Sequence, residues 1–365
     1  MRISFIRGAY LNNFEGQNYA LPITGYSSLF PLDVQVPFSV VKLPSVADLQ
    51  KIPFLNLPIK YITNRIFGDS QVLFGLESHI KGADIVHVAD PHYYYAYQAA
   101  RLREKGFIKK LVSTWWETIP FNNESTTAKK RIKRYVMKHV DMFICHAEQA
   151  RKCLITEGVE SKKIKIISLG VDLRRFHPIA PTKRDTSTIL FVGRLVEEKG
   201  VMDIYETFKK ISHNKKNILL KIVGSGPLEK KLRSLIQNDN LQDRVTIKRK
   251  SYQQMPGVFQ RADMLCVPSK KTKTWEEQLG MVFIEAMASG IPIITYDTGV
   301  IKTVIGDAGI VLREGDVQGI ATSIIRIIEV KELGYKIGTI GRERAEREFD
   351  AKKTAKQLYE MYESL

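Results

Sequence analysis

Thr188-Ile189-Leu190-Phe191-Val192-Gly193-Arg194-Leu195-Val196-Glu197-Glu198-Lys199-Gly200 joins a short apolar run to a polar turn, and a helix-like run from Val201 to Ile211 follows. A strand, a tight turn and a helix start in that order form an anion site, because unpaired backbone N–H groups and the helix dipole face a ligand there. Arg194 and Lys199 add two positive charges to the turn. Taken alone, the same residues read more readily as a solvated basic loop, since basic loop residues are usually just exposed.

Outward from this unit the pattern repeats. Ile3 to Ile6, Ile85 to Val88, Leu111 to Thr114, Met142 to Cys145 and Ile164 to Ile167 are apolar runs before Pro178. Thr188 to Val192, Leu219 to Val223, Val245 to Lys248, Met264 to Val267 and Ile291 to Thr295 follow it. Strands separated by helix-length segments imply right-handed crossovers and parallel sheets. Two such series predict an α/β chain of two doubly wound Rossmann-like domains.

His177 to Thr186, with two prolines and no apolar period, reads as the linker, and Asp350 to Leu365 as a final helix. Five prolines between Leu29 and Pro58 predict irregular structure there.

The length of 365 residues fits two cores. No apolar stretch reaches the ~18 residues of a spanning helix. Met1 to Ile6 run directly into Arg7 and Gly8 without the features of a secretory signal, and Cys145, Cys153 and Cys266 show no metal-ligand spacing. These features suggest a cytoplasmic protein with reduced thiols. The net charge of +17 points to an anionic partner, with nucleic acid, membrane and phosphate-bearing ligands all open.

Two further motifs carry chemistry. Gly224-Ser225-Gly226-Pro227 follows Leu219 to Val223, and such a turn lets a ligand approach the backbone, although a plain strand-to-helix turn explains it as well. Glu277 and Glu285 stand eight positions apart, in Glu277-Gln278-Leu279-Gly280-Met281-Val282-Phe283-Ile284-Glu285-Ala286-Met287-Ala288-Ser289-Gly290. With a helix starting near Gly280, Glu285 falls among apolar residues and needs a polar partner, although taken alone Glu285 and Glu277 read equally as a helix-surface and a loop carboxylate. All three motifs follow strands of one doubly wound domain, at the carboxyl ends where open α/β sheets bind ligands.

Taken together with Gly170-Val171-Asp172-Leu173-Arg174-Arg175-Phe176, Ala262-Asp263 leading to Pro268-Ser269, and Gly290-Ile291-Pro292, these motifs make the sequence resemble family 4 of the retaining glycosyltransferases. The resemblance implies the GT-B fold: residues 1–177 as acceptor domain, 187–348 as donor domain across a cleft, and a helix over 349–365 crossing back to the first. It implies sugar transfer from a UDP- or GDP-sugar to a glycan, lipid or small-molecule hydroxyl, with retention of configuration.

By the same resemblance, Arg194 and Lys199 neutralise the leaving diphosphate, with Gly193, Gly224 and Gly226 shaping the site. Glu277 contacts the transferred sugar, helped by backbone at Gln278, Leu279, Gly280, Met281 and Val282, and Glu285 binds the ribose.

The N-terminal half departs from the family. Asn12-Asn13 replace a glycine pair after the first strand, a substitution that retains tolerance of left-handed backbone. Trp115-Trp116-Glu117 stand where the family carries a histidine, which leaves His92 and Glu117 as substitutes. Trp115, Trp116 and Glu117 are assigned with Asn12 and Asn13 to the acceptor or phosphate loop, although an aromatic pair such as Trp115-Trp116 in an α/β domain is more often core than a sugar-stacking surface. His87, inside a strand, reads as a core residue. No Asp-x-Asp triplet is present, so metal independence and no cofactor are expected.

The rival readings are a GT-B nucleotide-sugar epimerase and a non-enzymic nucleic-acid-binding protein, although no nucleic-acid recognition motif is present. Over Thr127 to His139, the residues Lys129, Lys130, Arg131, Lys133, Arg134 and Lys138 fall opposite an apolar face, which predicts a basic surface that reads equally as a solvated face or as a contact for the anionic inner face of a membrane or a phosphate-bearing lipid acceptor.

Overall fold

Apolar runs become central parallel strands when helices cover both faces of the sheet, and this chain builds that arrangement twice. The computed structural model describes residues 1–8, 11–19, 23–28, 36–49, 71–180 and 185–365. Two compact units result, Met1–Leu169 with Lys352–Leu365, and Gly170–Ala351.

Among its described residues the first unit holds seven parallel strands, β1 (Ile3–Ile6), β2 (Ile23–Ser27), β3 (Ser39–Lys42), β4 (Ile85–Val88), β5 (Lys110–Trp115), β6 (Met142–Cys145) and β7 (Ile164–Ile166). Their order is β3-β2-β1-β4-β5-β6-β7. Among the described residues six helices are interspersed: α1 (Asn13–Gly16), α2 (Val46–Leu49), α3 (Leu76–Ile80), α4 (Tyr94–Glu104), α5 (Thr127–His139) and α6 (Glu148–Thr156). Side chains alternate between two cores. Ile6, Val86, Leu111 and Phe143 face α4 and α5 residues such as Ala99 and Val136, while Phe5, Ile85, Val112 and Ile144 face the other side.

The last helix of the chain (Ala351–Glu363) supplies Leu358, Met361 and Tyr362 to that second core. His87 is a satisfied core residue, its Nδ1 2.6 Å from the Tyr362 hydroxyl and its Nε2 2.8 Å from Thr114 Oγ1.

The proline-rich stretch corrects one expectation. Its residues 29–35 and 50–58 lie outside the described residues, as do linker residues 181–184. The remainder contains β3 and α2. Pro37 and Pro44 flank β3, itself the sheet edge, so neither removes a ladder hydrogen bond from a central strand.

The second unit holds β8 (Ser187–Val192), β9 (Ile218–Val223), β10 (Val245–Lys248), β11 (Met264–Cys266), β12 (Ile293–Tyr296) and β13 (Gly309–Leu312), in the order β10-β9-β8-β11-β12-β13. The helices are α7 (Val201–Ser212), α8 (Glu229–Asn238), α9 (Met255–Phe259), α10 (Met281–Ala288), α11 (Ile301–Ile305), α12 (Val317–Glu329) and α13 (Lys331–Glu348).

The Gly170–Phe176 motif opens this unit by pairing with its end. Val171 N donates to Phe349 O at 2.9 Å, and Ala351 N returns a bond to Val171 O at 3.1 Å. A side chain at Gly170 would overlap the Phe349 carbonyl oxygen, so the two segments meet only with glycine there.

Candidate active site

In the second unit the strand order reverses between β8 and β11, so the loops after them diverge and leave room at the C-terminal edge of the sheet. The sequence motifs gather there. The turn after β8 is stitched to the turn after β9, with Gly193 N on Val223 O at 3.0 Å and Leu195 N on Ser225 O at 2.9 Å. A Cβ on Gly224 would overlap the Gly193 carbonyl oxygen, and one on Gly226 would stand 2.5 Å from Leu195 O. Close backbone packing between the two turns therefore requires both glycines.

A 3-10 turn, Glu197–Lys199, leads into Gly200, which has a left-handed backbone (φ 69°) and lies against the Pro268 carbonyl. This packing brings the turn after β8 to the loop after β11. There the Lys199 ammonium pairs with Glu277 Oε1, which also accepts the Ser269 hydroxyl at 3.0 Å. The Trp275 ring lies 4.6 Å from Lys199 Nζ, within cation–π range. Glu277 and Ser269 are buried. Arg194, by contrast, is exposed and reaches Glu198 at 3.3 Å.

The Glu277 backbone is fixed from the β12 side, its carbonyl accepting Val300 N at 3.1 Å. Leu279 is buried, Gln278, Met281 and Val282 are half-buried, and Gly280 (φ 71°) starts α10, whose first N–H groups have no preceding helical carbonyl.

Glu285 lies inside α10 and is buried among Ile284, Ala286, Met287 and Ala288. Burial pushes its carboxyl up to about 8, against the pull of a Tyr252 hydrogen bond and the Arg175 charge. Among the described residues no group of three or more His, Cys, Asp or Glu side chains is placed to hold a metal ion.

The first unit disposes its candidates at the ends of β1, β4 and β5. Asn12 has extended backbone (φ −108°) and caps α1 by accepting Glu15 N at 3.0 Å, while Asn13 is buried in the helix. Neither asparagine adopts the left-handed backbone it tolerates, because Asn12 serves as the cap and Asn13 lies in the helix. A buried Arg7–Glu15 pair, joined by the Tyr19 hydroxyl at 3.1 Å, closes the same loop.

His92 is buried against Tyr93, and desolvation with the Lys129 and Lys133 charges holds its imidazole down at about 3. Glu117 directs its carboxylate into its own loop. It accepts Thr118 N, Ile119 N, Asn122 Nδ2 and Asn123 Nδ2 at 2.9–3.1 Å.

Trp115 corrects the expectation of an acceptor-loop residue: it is fully buried in the core, with Nε1 donating to Glu117 O at 2.8 Å. Trp116 is half-buried, pinned by its N–H to Asp90 Oδ1 at 2.9 Å and edge-on to His146. Lys133 is a further correction. It is buried, paired with Glu157 and 3.6 Å from Glu124, and lies over Trp115, so the outward basic face of α5 is carried by Arg131, Arg134 and Lys138.

Two family descriptions meet along the chain, Glycosyltransferase Family 4 over residues 43–175 and Glycosyl transferases group 1 over residues 174–344. The chain belongs to the group 1 glycosyltransferases. Relatives of this glycosyltransferase include the capsular polysaccharide biosynthesis glycosyltransferase CapM of Staphylococcus aureus, 28% identical over 66% of this chain and 67% of that protein. A GDP-mannose-dependent phosphatidylinositol monomannoside mannosyltransferase of Corynebacterium glutamicum is 25% identical over 70% of both. Among solved structures, Anabaena HepE with UDP and glucose superposes with a TM-score of 0.76 at 16% identity, over 100% of both chains. Sucrose-phosphate synthase of Thermosynechococcus elongatus gives 0.75 at 19%, over 100% of this chain and 98% of that one. These superpositions establish the GT-B fold of the glycosyltransferase.

Around the motifs of this glycosyltransferase stand residues that sequence reasoning assigned no part. Trp275 and Ser269 contact the Lys199–Glu277 pair, while Tyr252 hydrogen-bonds Glu285 and the Arg175 charge acts on it. Ser269 and Arg175 lie inside quoted motifs, a signal of position without a partner. Trp275, an aromatic in a stretch of lysines, threonines and glutamates, was the readable hint.

Proposed function

We propose that this glycosyltransferase moves a sugar from a nucleotide-diphosphate-sugar, UDP- or GDP-linked, to a hydroxyl of a glycan, lipid or small-molecule acceptor, retaining anomeric configuration. The observation that carries the reading is the Lys199–Glu277 pair with Arg194 at the edge where β8 and β11 part. An ammonium held by one carboxylate can exchange it for the diphosphate, and the exposed Arg194 guanidinium can bind the same anion bidentately. Both charges then stand where negative charge grows as the C1–oxygen bond to phosphate breaks. Glu277, released from Lys199, accepts hydroxyls of the sugar. In a same-face displacement the acceptor oxygen bonds to C1 as the leaving phosphate departs, and the acceptor proton passes to a phosphate oxygen.

Residues 187–348 hold the donor in this reading, with Glu285 on the ribose, and residues 1–177 hold the acceptor. His92, Asn12, Asn13, Trp116 and Glu117 lie along the acceptor side, where Glu117 shapes the loop. Support for the donor class comes from the GDP-mannose-dependent relative and from HepE, whose structures contain UDP, glucose and UDP-glucose. Support for polysaccharide or glycolipid assembly comes from the capsular and phosphatidylinositol mannoside relatives.

Exposed Arg131, Arg134 and Lys138 on α5 favour, in addition, peripheral contact with an anionic membrane. No described helix is long and apolar enough to cross one.

A thermal-shift panel of UDP-, GDP- and ADP-sugars tests the donor assignment, because ligand binding to the native state raises its melting temperature. One nucleotide series should stabilise the protein, and Lys199→Ala should abolish that shift. No shift with any nucleotide-sugar at millimolar concentration removes the donor assignment.

A further inference from the structure

The Gly170–Phe176 motif contributes a residue that the proposed chemistry has not used. Arg175 extends from this motif to Tyr252, which follows β10. Its Nη2 donates to the Tyr252 carbonyl oxygen at 3.1 Å, and its guanidinium carbon lies 5.1 Å from the Tyr252 ring centroid. Phe176, fully buried, packs against the same ring at 5.8 Å. On the other side Ser251 and Gln254 form a reciprocal capping box, with Ser251 N on Gln254 Oε1 at 3.2 Å. The Tyr252 backbone and ring are thus held from two directions, and its hydroxyl meets Glu285.

A buried carboxyl on an apolar helix has a strong need for such a donor. Among the described residues the charged or titratable groups acting on Glu285 are Tyr252 and Arg175. They come from segments some 30 to 110 positions away in the sequence, one ahead of β8 and one after β10.

We infer that Arg175 and Tyr252 are positioning residues that orient the Glu285 carboxyl toward the nucleotide ribose, and so set the enzyme's preference for ribonucleotide over deoxyribonucleotide donors. The inference rests on the reading of Glu285 as the ribose contact. On this inference a Tyr252 hydroxyl bonded to one carboxyl oxygen would leave the other for the ribose hydroxyls. Without Tyr252 the carboxyl can rotate away, and the ribose bond loses its direction while the diphosphate contacts remain.

The experiment measures dissociation constants by calorimetry for the tightest-binding of UDP, GDP and ADP and for its 2′,3′-dideoxy counterpart. Wild type, Glu285→Gln, Tyr252→Phe, Arg175→Lys and Arg175→Met are compared, with melting temperatures taken in parallel. Wild type should prefer the ribose form by about tenfold or more, the scale of a hydrogen bond to a charged or strongly polar group. Tyr252→Phe keeps the ring and its packing, so the fold should survive while most of the preference disappears and dideoxy binding stays at the wild-type level. Arg175→Lys should retain more of the preference than Arg175→Met.

A merely structural role would weaken both ligands alike, and that pattern overturns the inference. So does a Tyr252→Phe protein that keeps the full preference while Glu285→Gln loses it. Equal binding of both ligands by wild type removes the ribose reading itself, and this inference with it.

Discussion

Replacing Lys199 by methionine keeps the length of the side chain and removes its charge. Its side chain is 16% exposed and that of Glu277 6%, so the substitution leaves a nearly buried carboxylate with the Ser269 hydroxyl in place of an ammonium. Breaking a buried pair from one side costs ~3–5 kcal/mol, and the partial exposure of the ammonium places this case near the lower end, about 3 kcal/mol. For a unit of this size each kcal/mol is worth about 2–4 °C, so the melting temperature should fall by about 6–12 °C.

Turnover should fall too, by about 100-fold or more in kcat/KM, the scale of removing one charge from a developing oxyanion. The two effects have different origins and separate in a second variant. Lys199→Met with Glu277→Gln removes both charges, so stability should return toward wild type while turnover stays low. The assay pairs thermal melts with initial rates on the nucleotide-sugar that gives the largest thermal shift. Near-normal turnover in Lys199→Met refutes the phosphate role. A double variant no more stable than the single one refutes the argument from the stranded carboxylate.

The Glu285 carboxyl, at about 8 against an ordinary 4.5, keeps its proton in the folded state after the unfolded chain has lost it. Stability should therefore decrease as pH rises from about 4.5 to about 8, and Glu285→Gln should flatten that part of the melting profile; parallel slopes in the two proteins contradict the burial argument. Lys133→Met should destabilise the first unit by about 3 kcal/mol by stranding the buried Glu157, measured by denaturant unfolding, whereas an unchanged midpoint places Lys133 in solvent. Glutamine at Arg131, Arg134 and Lys138 should reduce cosedimentation with anionic vesicles, and raising salt should do the same as the Debye length shrinks from ~10 Å at 0.1 M to ~3 Å at 1 M. Equal binding by both proteins removes α5 as the membrane contact.

Where a signal is local, the chain alone carried it. The run Thr188 to Val192, the glycine after it and the periodic helix that follows are neighbours in sequence, and they fold as β8, a stitched turn and α7. The start of α10 at Gly280 and the place of Glu285 inside it were legible for the same reason, since helical period and a left-handed glycine act within a few residues. Local pattern failed where a partner arrives from another strand. The helical wheel of α5 assigned Lys133 to solvent, but Glu157 and Trp115 lie beside it in the tertiary structure and make burial of an ammonium tolerable. Asparagines tolerate left-handed turns, yet Asn12 became a helix cap because Glu15, paired with Arg7, draws the following residues into a helical turn.

The site divides in the same way. Arg194, Lys199, Glu277 and Glu285 could be named from spacing, whereas Ser269 and Trp275 at the ion pair, and Arg175 and Tyr252 at the buried carboxyl, acquired partners only when the sheet order set β8 beside β11 and β10 beyond β9. Hydrogen bonds and burial act over a few ångströms of space, and the order of strands decides which distant residues come within that range.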